Sequence, residues 1–250
     1  MKKLTPVLIA LLMFGACKKD SSTKTAATTP VAFTATTYDF LGTYDTNGKP
    51  LNYLSTKDVI SSNLLTYLST TLPERVNLVK ANPTLLANSA SGDITMTQKS
   101  DVSITFVSQG TGCTDALGFY TYATNNPPTA ATDIKKITYI FPLVGLGTTL
   151  QAGDKVKIGT FDVGTSIGFV LLQNGWDATK KAVNTDAVHF CSNDALNPEN
   201  SASLKKHAVL INYSEENKVL IGFEDLDRTS ADCDNDFNDV VVYATVTSAK

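Results

Sequence analysis

The sequence has no excess of positive charge, no closely spaced cysteine pair and few histidines. Its 250 residues carry 21 Lys and Arg against 24 Asp and Glu. Nucleic-acid binding depends on basic side chains that neutralise phosphates, so this balance argues against a nucleic-acid partner. No two of the 4 cysteines form a Cys-x-x-Cys pair, which leaves a redox motif and a zinc site without support from the sequence. The 2 histidines, His189 and His207, fall in strand-like runs and predict packed side chains, not a catalytic base.

The N-terminal residues have the order of a secretory signal. Two lysines precede an apolar stretch over residues 4–14, and two small residues then lead to Cys17. The stretch is shorter than the ~20 residues that span a bilayer. It resembles a bacterial lipoprotein signal, which implies that residues 1–16 are removed and that Cys17 carries an acyl anchor in the lipid bilayer. We therefore expect a lipid-anchored protein of the bacterial outer membrane or cell surface, with a periplasm-facing anchor as the alternative.

The segment after the signal predicts a flexible stalk. Residues 17–37 are rich in Ser, Thr and Ala and have few large apolar side chains. Such a composition buries too little surface to offset the entropy lost on ordering.

Residues 38–92 predict a small helical region. Ser55 and Asp58 have the spacing of a capping box, and a second short helix is expected over residues 74–80. The first helix would place its apolar residues on one face. These are Ile60, Leu64, Tyr67 and Leu68.

Residues 93–250 predict a mainly β domain, an antiparallel β-sandwich of jelly-roll-like type that ends in an acidic hairpin. Short alternating or β-branched runs are separated by Gly, Asn, Asp and Pro clusters, with no helical pattern between them. Many short strands of this kind are typical of sandwiches and jelly rolls. The expected strands cover residues 101–107, 118–123, 136–143, 155–161, 167–173, 187–191, 207–213, 218–224 and 240–246.

An acidic stretch connects the last two expected strands. The 16 residues from Glu224 to Asp239 hold seven carboxylates and one cation, Arg228. Folding of the flanking strands would draw these carboxylates together. Like charges about 4 Å apart repel by ~4 kcal/mol at an effective dielectric constant of about 20. A bound divalent cation would relieve this repulsion.

Calcium is the cation that the acidic stretch favours. Carboxylate and amide oxygens select Ca²⁺ or Mg²⁺, and an irregular loop with many oxygens suits Ca²⁺ better. The stretch is not an EF-hand, because Phe237 stands where the turn glycine is required. The alternative is an acidic loop without a cation, whose Asp and Asn side chains cap their own backbone. An extended chain would place alternate aspartates on one side. The candidate ligands are Glu224, Asp225, Asp232, Asp234, Asp236, Asn238 and Asp239.

The same stretch resembles the closing motif of a bacterial family. Phe223-Glu-Asp-Leu226 followed by Asp234-x-Asp236-Phe-Asn-Asp-Val-Val241 is similar to the signature of an uncharacterised family of exported proteins, LruC-type or of the domain-of-unknown-function kind. Motifs upstream, among them Ala116–Tyr122, extend the resemblance over residues 94–247. It implies a secreted β-sandwich and calcium ligands within the acidic stretch. It implies no established activity.

Three cysteines besides Cys17 allow one disulfide in an oxidising compartment. Cys191 and Cys233 form the predicted pair, because both are expected near one end of the sandwich. Cys113 is the other candidate.

The function classes that remain are mostly non-enzymatic. Gly164-Thr-Ser-Ile-Gly168 has hydrolase spacing, but Ser166 leads into a predicted strand where that chemistry needs a helix. We therefore expect a binding or structural module of the cell envelope. Two alternatives stay open. One is a secreted carbohydrate-binding or polysaccharide-acting protein, whose sugar platform would consist of Trp176, Tyr120, Tyr122 and Tyr139. The other is an adhesin with a surface-protein ligand.

The signal generates a testable prediction. Mass spectrometry of the mature N-terminus should show an acylated Cys17 and no residues 1–16. Cys17→Ser should release the protein from the membrane fraction. A Cys17→Ser protein that still fractionates with membranes would contradict the lipid anchor. Protease treatment of intact cells distinguishes a surface anchor from a periplasm-facing one.

Overall fold

The computed structural model describes residues 31–51, 53, 56–88 and 93–249. The predicted signal, the lipidation at Cys17 and the Ser55 half of the capping box lie outside these residues. Within them, no helix has the length and hydropathy needed to cross a membrane.

The described chain forms thirteen β-strands and three short α-helices. The helices are α1 (Ser62–Thr71), α2 (Leu78–Ala81) and α3 (Pro83–Asn88). The strands are β1 (Thr37–Phe40), β2 (Ile94–Thr95), β3 (Ser100–Gln109), β4 (Ala116–Ala123), β5 (Lys136–Phe141), β6 (Lys155–Phe161), β7 (Thr165–Gln173), β8 (Trp176–Asp177), β9 (Ala182–Val183), β10 (Val188–Cys191), β11 (Ala208–Tyr213), β12 (Lys218–Phe223) and β13 (Val240–Ser248).

Two sheets account for most of the strands. The first has the order β1-β5-β4-β7-β10, with β2 also paired to β7, and the second has the order β11-β12-β13-β3-β6. Strands β8 and β9 form a separate ribbon. The β1–β5 pair is parallel, and the other pairs are antiparallel. This confirms the predicted mainly β fold with antiparallel sheets.

The main core lies between the two sheets. Val102 and Ile104 of β3 belong to the same buried cluster as Leu117 of β4 and Phe169 of β7. Since β3 belongs to one sheet and β4 and β7 to the other, the cluster joins their facing surfaces. Alternate residues of a strand point to opposite faces, which is why the alternating pattern of the sequence marked these strands.

Helix α1 covers the outer face of the second sheet. Its Leu64 and Leu68 pack in one cluster with Tyr213 and Tyr243 of the sheet, as the apolar face of the sequence predicted. The helix begins later than the Ser55–Asp58 pattern indicated. Ser61 caps it by accepting a hydrogen bond from the Leu64 amide at 3.0 Å.

Asp58 has a different role from the predicted cap. Its carboxylate accepts hydrogen bonds from Thr105 at 2.9 Å and Tyr243 at 3.0 Å, and it forms an ion pair with Lys155. The side chain therefore ties the segment before α1 to the second sheet.

The second predicted helix is also displaced. Residues 74–77 are not helical, and α2 begins at Leu78. Arg75 has a positive φ of 58°, and its amide donates to Asp236 at 2.7 Å. Docking on the acidic loop thus holds this connection out of a helical conformation.

The end of the predicted stalk packs against the first sheet. Phe33 is 8% exposed and stacks on His189 with 4.3 Å between ring centroids. Strand β1 then begins at Thr37 and pairs with β5. Ordered structure therefore starts before residue 38, because Phe33 offers apolar surface that the stalk composition otherwise lacks.

Gly168 allows a close cross-strand contact that can be tested. It pairs with Tyr120, and a Cβ at position 168 would lie 2.2 Å from the tyrosine Cζ. Gly168→Ala should therefore destabilise the fold by about 1–3 kcal/mol, the usual cost of overpacking a core. Gly112→Ala is the matched control, because a Cβ there meets nothing within 4 Å. Urea unfolding of both variants checks this, and equal midpoints would contradict it.

Candidate metal centre

The acidic stretch lies at one end of the sandwich, where three strand ends meet. Phe223, the last residue of β12, pairs with Val240, the first of β13, and Val240 also pairs with Gln109 at the end of β3. The loop after β12, the residues before β13 and the loop after β3 therefore share one edge of the second sheet.

Glu224 and Asp225 follow β12 and turn into this edge. The Glu224 amide donates to the His207 carbonyl at 2.9 Å, and the His207 Nδ1 lies 2.9 Å from the Glu224 carbonyl. The Asp225 amide donates to the Asp239 carboxylate at 2.9 Å. These bonds fix the backbone of both acids and bring Asp239 beside Asp225.

The loop between β3 and β4 supplies further polar groups. Thr111 donates its hydroxyl hydrogen to the Asp225 carboxylate. Asp115, the residue before β4, accepts a hydrogen bond from the Asn174 amide at 2.9 Å. Because β4 belongs to the first sheet, Asp115 and Asp225 meet from opposite sheets.

The rest of the acidic loop is held by left-handed turns and by the connection after α1. Asn235 and Phe237 have φ values of 60° and 59°, a conformation that is unfavourable for a residue with a side chain. Phe237 is fully buried, and Asn238 donates to the Leu72 carbonyl at the end of α1 at 3.1 Å. Burial of the Phe237 ring holds the loop in this conformation.

Three groups of candidate ligands result, each with its ligand atoms within 4.8 Å of one another. Three atoms so spaced lie no more than about 2.8 Å from a common centre, close to the Ca–O distance of about 2.3–2.6 Å. Glu224 and Asp225 each belong to two of the groups. The groups are Glu224 with Asp234 and Asp236, Glu224 with Asp225 and Asp239, and Asp225 with Cys113 and Asp115.

The structure places five of the seven predicted ligands in these groups: Glu224, Asp225, Asp234, Asp236 and Asp239. Asp232 is exposed and belongs to none of them. Asp232 lies in the turn from Ser230 to Cys233, where the Cys233 amide donates to the Ser230 carbonyl at 3.3 Å, and this turn breaks the extended conformation that would align Asp232 with Asp234. The Asn238 side-chain nitrogen donates to the Leu72 carbonyl, so this side chain attaches the acidic loop to the end of α1.

The sequence did not predict that Asp115, Thr111 and Cys113 belong to the site. Cys113 was considered only for a disulfide. A single aspartate before a buried strand carries no local signal that separates it from a turn residue. Its proximity to Asp225 depends on how the two sheets pack.

The buried carboxylates lack the partners that a charged group needs. Glu224 is 0% exposed, and neither of its oxygens accepts a hydrogen bond of normal geometry, although Cys233 and Asp239 lie beside it. One oxygen of Asp115, also 0% exposed, is unpartnered too. A buried charge without partners is costly, so such groups bind protons or a cation.

The pKa values of these carboxyl groups reflect the same cost of burying charge. Burial raises the pKa of Glu224, Asp115 and Asp239, and the charges of their acidic neighbours raise it further. For Asp115 and Asp239 the first of these neighbours is Asp225.

Arg228, the one cation of the stretch, does not neutralise these groups directly. Its guanidinium donates to Asn235 at 2.8 Å and to the carbonyls of Lys206 at 3.0 Å and Ser203 at 3.3 Å. Among the described residues its bonds go to neutral oxygens, and it also lies over the Phe237 ring. Arg228 thus supports the loop without supplying a counter-ion bond.

The predicted disulfide is not formed. Cys113, Cys191 and Cys233 are all free. Cys191 is fully buried in the cluster on the outer face of the first sheet, whereas Cys233 lies beside Glu224 in the acidic loop. Phe190 of β10 stacks on His207, which bonds to the Glu224 carbonyl, but the next side chain, Cys191, points to the opposite face of the strand and so away from Cys233.

The other sequence features have structural surroundings. Ser166 lies in β7 with its hydroxyl 3.0 Å from Thr95 and 2.9 Å from Thr124. Burial lowers the pKa of His189 to about 4, and its ring contacts Tyr38 and Phe33. The aromatic residues considered for a sugar platform are mostly buried. These are Trp176, Tyr120 and Tyr139.

Comparison with known proteins gives one match. A family model described as a domain of unknown function, DUF4114, matches residues 161–247, which include the whole acidic loop. Less than half of the chain is covered, and Asp115 lies outside the match. This supports the resemblance to a domain of unknown function, while the narrower LruC-type assignment stays a prediction. No curated protein and no solved structure matches the chain.

The raised carboxyl pKa values predict the pH dependence of the metal-free protein. The folded chain keeps protons that the unfolded chain has released, so stability should fall as pH rises above the ordinary carboxyl range. Between about pH 7 and pH 8 the loss should reach at most ~1.4 kcal/mol for each such group. In this window an unfolded histidine is mostly neutral and thiols are still mostly protonated. Urea unfolding in chelator measures the slope.

A matched pair of variants assigns this slope. Asp239→Asn should flatten it, because one raised carboxyl is removed. Asp232→Asn should leave it unchanged, because Asp232 is exposed and outside the groups. A metal-free protein whose stability rises from pH 7 to pH 8 would contradict the assignment.

Proposed function

We propose that the chain is a lipid-anchored, non-enzymatic binding or structural module of the bacterial envelope whose acidic loop is stabilised by Ca²⁺. The proposal of a calcium site rests on the surroundings of Glu224. It is fully buried, both its oxygens are unpartnered, and it belongs to two groups of closely spaced carboxylates.

A cation is favoured over protons alone because of the number of acids. Asp225 and Asp236 are buried with Glu224, and Asp239 lies beside them. At neutral pH each added negative charge about 4 Å from another costs ~4 kcal/mol at an effective dielectric constant of about 20. A divalent ion among them converts these repulsions into attractions.

The donor chemistry supports calcium among the divalent ions. The two groups that contain Glu224 consist of carboxylate oxygens only. Ca²⁺ accepts many oxygens in flexible geometry, whereas Mg²⁺ requires a tight octahedron and gives up water reluctantly. The loop is irregular, and its carboxylates come from both of its ends, which suits the flexible geometry of Ca²⁺.

Calcium in this position would have a structural consequence. Asp236 accepts from the Arg75 amide, and Asp239 accepts from the Asp225 amide. An ion held by Glu224 with these acids would therefore join the α1–α2 connection to both ends of the β12–β13 loop. The joined loops would then form a rigid surface at this end of the sandwich.

The membrane anchor rests on the N-terminal sequence alone, through the small residues before Cys17. A glycan or surface-protein ligand is the open part of the proposal. Trp176, Tyr120 and Tyr139 are buried and Tyr122 is half-buried, which argues against the aromatic platform considered for sugars. Discrete hits on a glycan array would favour the carbohydrate alternative, and an absence of hits would favour a structural or protein-binding role.

Calcium should bind the folded protein and not the unfolded one, and should therefore raise the free energy of unfolding. We expect the melting temperature of the chelator-treated full chain, purified in detergent, to rise with free calcium as RT ln(1 + [Ca]/Kd). The gain is ~2.7 kcal/mol at about a hundredfold excess over Kd. This corresponds to several degrees, at about 2–4 °C per kcal/mol for a domain of this size. Magnesium should shift the melting temperature less.

Single substitutions separate a site from general charge screening. Asp236→Ala and Asp239→Ala should abolish the calcium response, while Asp232→Ala should retain it because that residue is exposed and outside the groups. Sodium at matched ionic strength is the salt control. If calcium and sodium give equal melting temperatures, the calcium proposal is wrong.

A further inference from the structure

A second group of donors lies next to the proposed calcium position but has a different chemistry. Cys113, Asp115 and Asp225 bring one sulfur and two carboxylates within 4.8 Å of one another. Asp115 and Asp225 are buried, and Cys113 is half-buried. None of the predicted calcium ligands except Asp225 belongs to this group.

Asp115 has an oxygen that the protein leaves without a partner. Its Oδ1 accepts the Asn174 amide hydrogen at 2.9 Å, and its Oδ2 is buried with no hydrogen bond. Asp225 lies beside it: its negative charge opposes a charge on Asp115, and the two carboxylates can otherwise only share a proton. A fully buried carboxylate oxygen directed at a second carboxylate is best accommodated by a cation between them.

The surrounding backbone is already fixed. The Leu146 amide donates to the Cys113 carbonyl at 2.7 Å, and the Val144 amide donates to the Asp115 carbonyl at 2.8 Å. Thr111 donates its hydroxyl hydrogen to Asp225 and accepts the Cys113 amide hydrogen at 2.8 Å. The Cys113 sulfur accepts a hydrogen bond from the Asn174 side-chain nitrogen at 3.6 Å, which a metal ion would replace, and the second Asp115 oxygen has no hydrogen-bond partner.

We propose that Cys113, Asp115 and Asp225 form a second cation site, for a borderline metal ion of the class of Zn²⁺, beside the calcium position. A thiolate is a soft ligand that Ca²⁺ does not favour, whereas Zn²⁺ combines Cys sulfur with Asp oxygen. Contraction by less than about 1 Å brings the three atoms to the Zn–S distance of ~2.3 Å and Zn–O distances of about 2.0–2.2 Å. Three protein ligands leave a fourth position for water.

The site would cross-link the two sheets. Asp115 precedes β4 of the first sheet, and Asp225 follows β12 of the second. A metal bound to both would hold this end of the sandwich closed. The two positions share Asp225, but the cross-link requires no calcium at Glu224, so the two sites can be tested separately.

Cobalt is the probe, because Co²⁺ replaces Zn²⁺ and shows a ligand-to-metal charge-transfer band when a thiolate binds it. The chelator-treated full chain, purified in detergent, should develop this band at one equivalent of Co²⁺. Zn²⁺ should then remove it. Cys113→Ser should lose the band, and Cys233→Ser should keep it, although Cys233 lies in the acidic loop. A band that persists in Cys113→Ser, or that never appears, would overturn the site.

Two further measurements keep the result independent of folding and of calcium. Asp115→Asn should weaken Zn²⁺ binding by on the order of tenfold or more, since even outer contacts of a metal site are worth about 10–100-fold. Cys113→Ser is the milder change, and its circular dichroism should match the unaltered chain. Excess Ca²⁺ should leave the Co²⁺ band in place. Loss of the band with one equivalent of Ca²⁺ would mean a single shared site and overturn the proposal, whereas a Co²⁺ band without a calcium melting shift would overturn only the calcium position.

Discussion

Glu224 and Asp115 are buried carboxylates in a protein interior that offers them few hydrogen bonds. The end of the sandwich is organised around this constraint. Backbone amides of Arg75, Asn174 and Asp225 are directed at the neighbouring acids, and Phe237 is buried in a left-handed conformation. Each of these features orders a loop around negative charge. Loops usually avoid such a cost, because buried polar groups need partners. The proposed cation would relieve the repulsion among these acids, while burial of the Phe237 ring holds the loop that carries them.

Nine strands could be predicted because each has a buried face, whereas β1, β2, β8 and β9, which are only two to four residues long, were not predicted. The run over residues 155–161 was predicted with the bounds of β6, and most other runs match within a few residues. Helix boundaries were less predictable. Ser55 and Asp58 have capping-box spacing, yet Asp58 bonds to Thr105 and Tyr243 on the sheet. Local chemistry allowed either role, and contacts from distant parts of the chain decided between them.

The candidate site also has residues that could be predicted from local sequence and residues that could not. Density of acids in one short stretch marked Glu224, Asp225 and Asp239, because residues close in sequence between two paired strands must be close in space. Asp232 was included on the assumption of an extended loop, which the turn from Ser230 to Cys233 breaks. Asp115 could not be found this way. Its contact with Asp225 is made by the packing of two sheets, and no local pattern encodes sheet packing.

The acids of the site are attached to two different sheets, and this determines what the end of the fold would do without metal. The acidic loop is attached to the second sheet through β12 and β13, while Asp115 and Asn174 are attached to the first. Between the sheets lies an apolar core that needs no metal, so the sandwich itself should persist when the cations are removed. What should loosen is the edge where carboxylates from both sheets face one another, because repulsion acts there and is opposed mainly by burial of the Phe237 ring. Metal binding at this edge would therefore govern local order in the loops more than the stability of the strands, which is the behaviour expected of a surface that is presented to a partner.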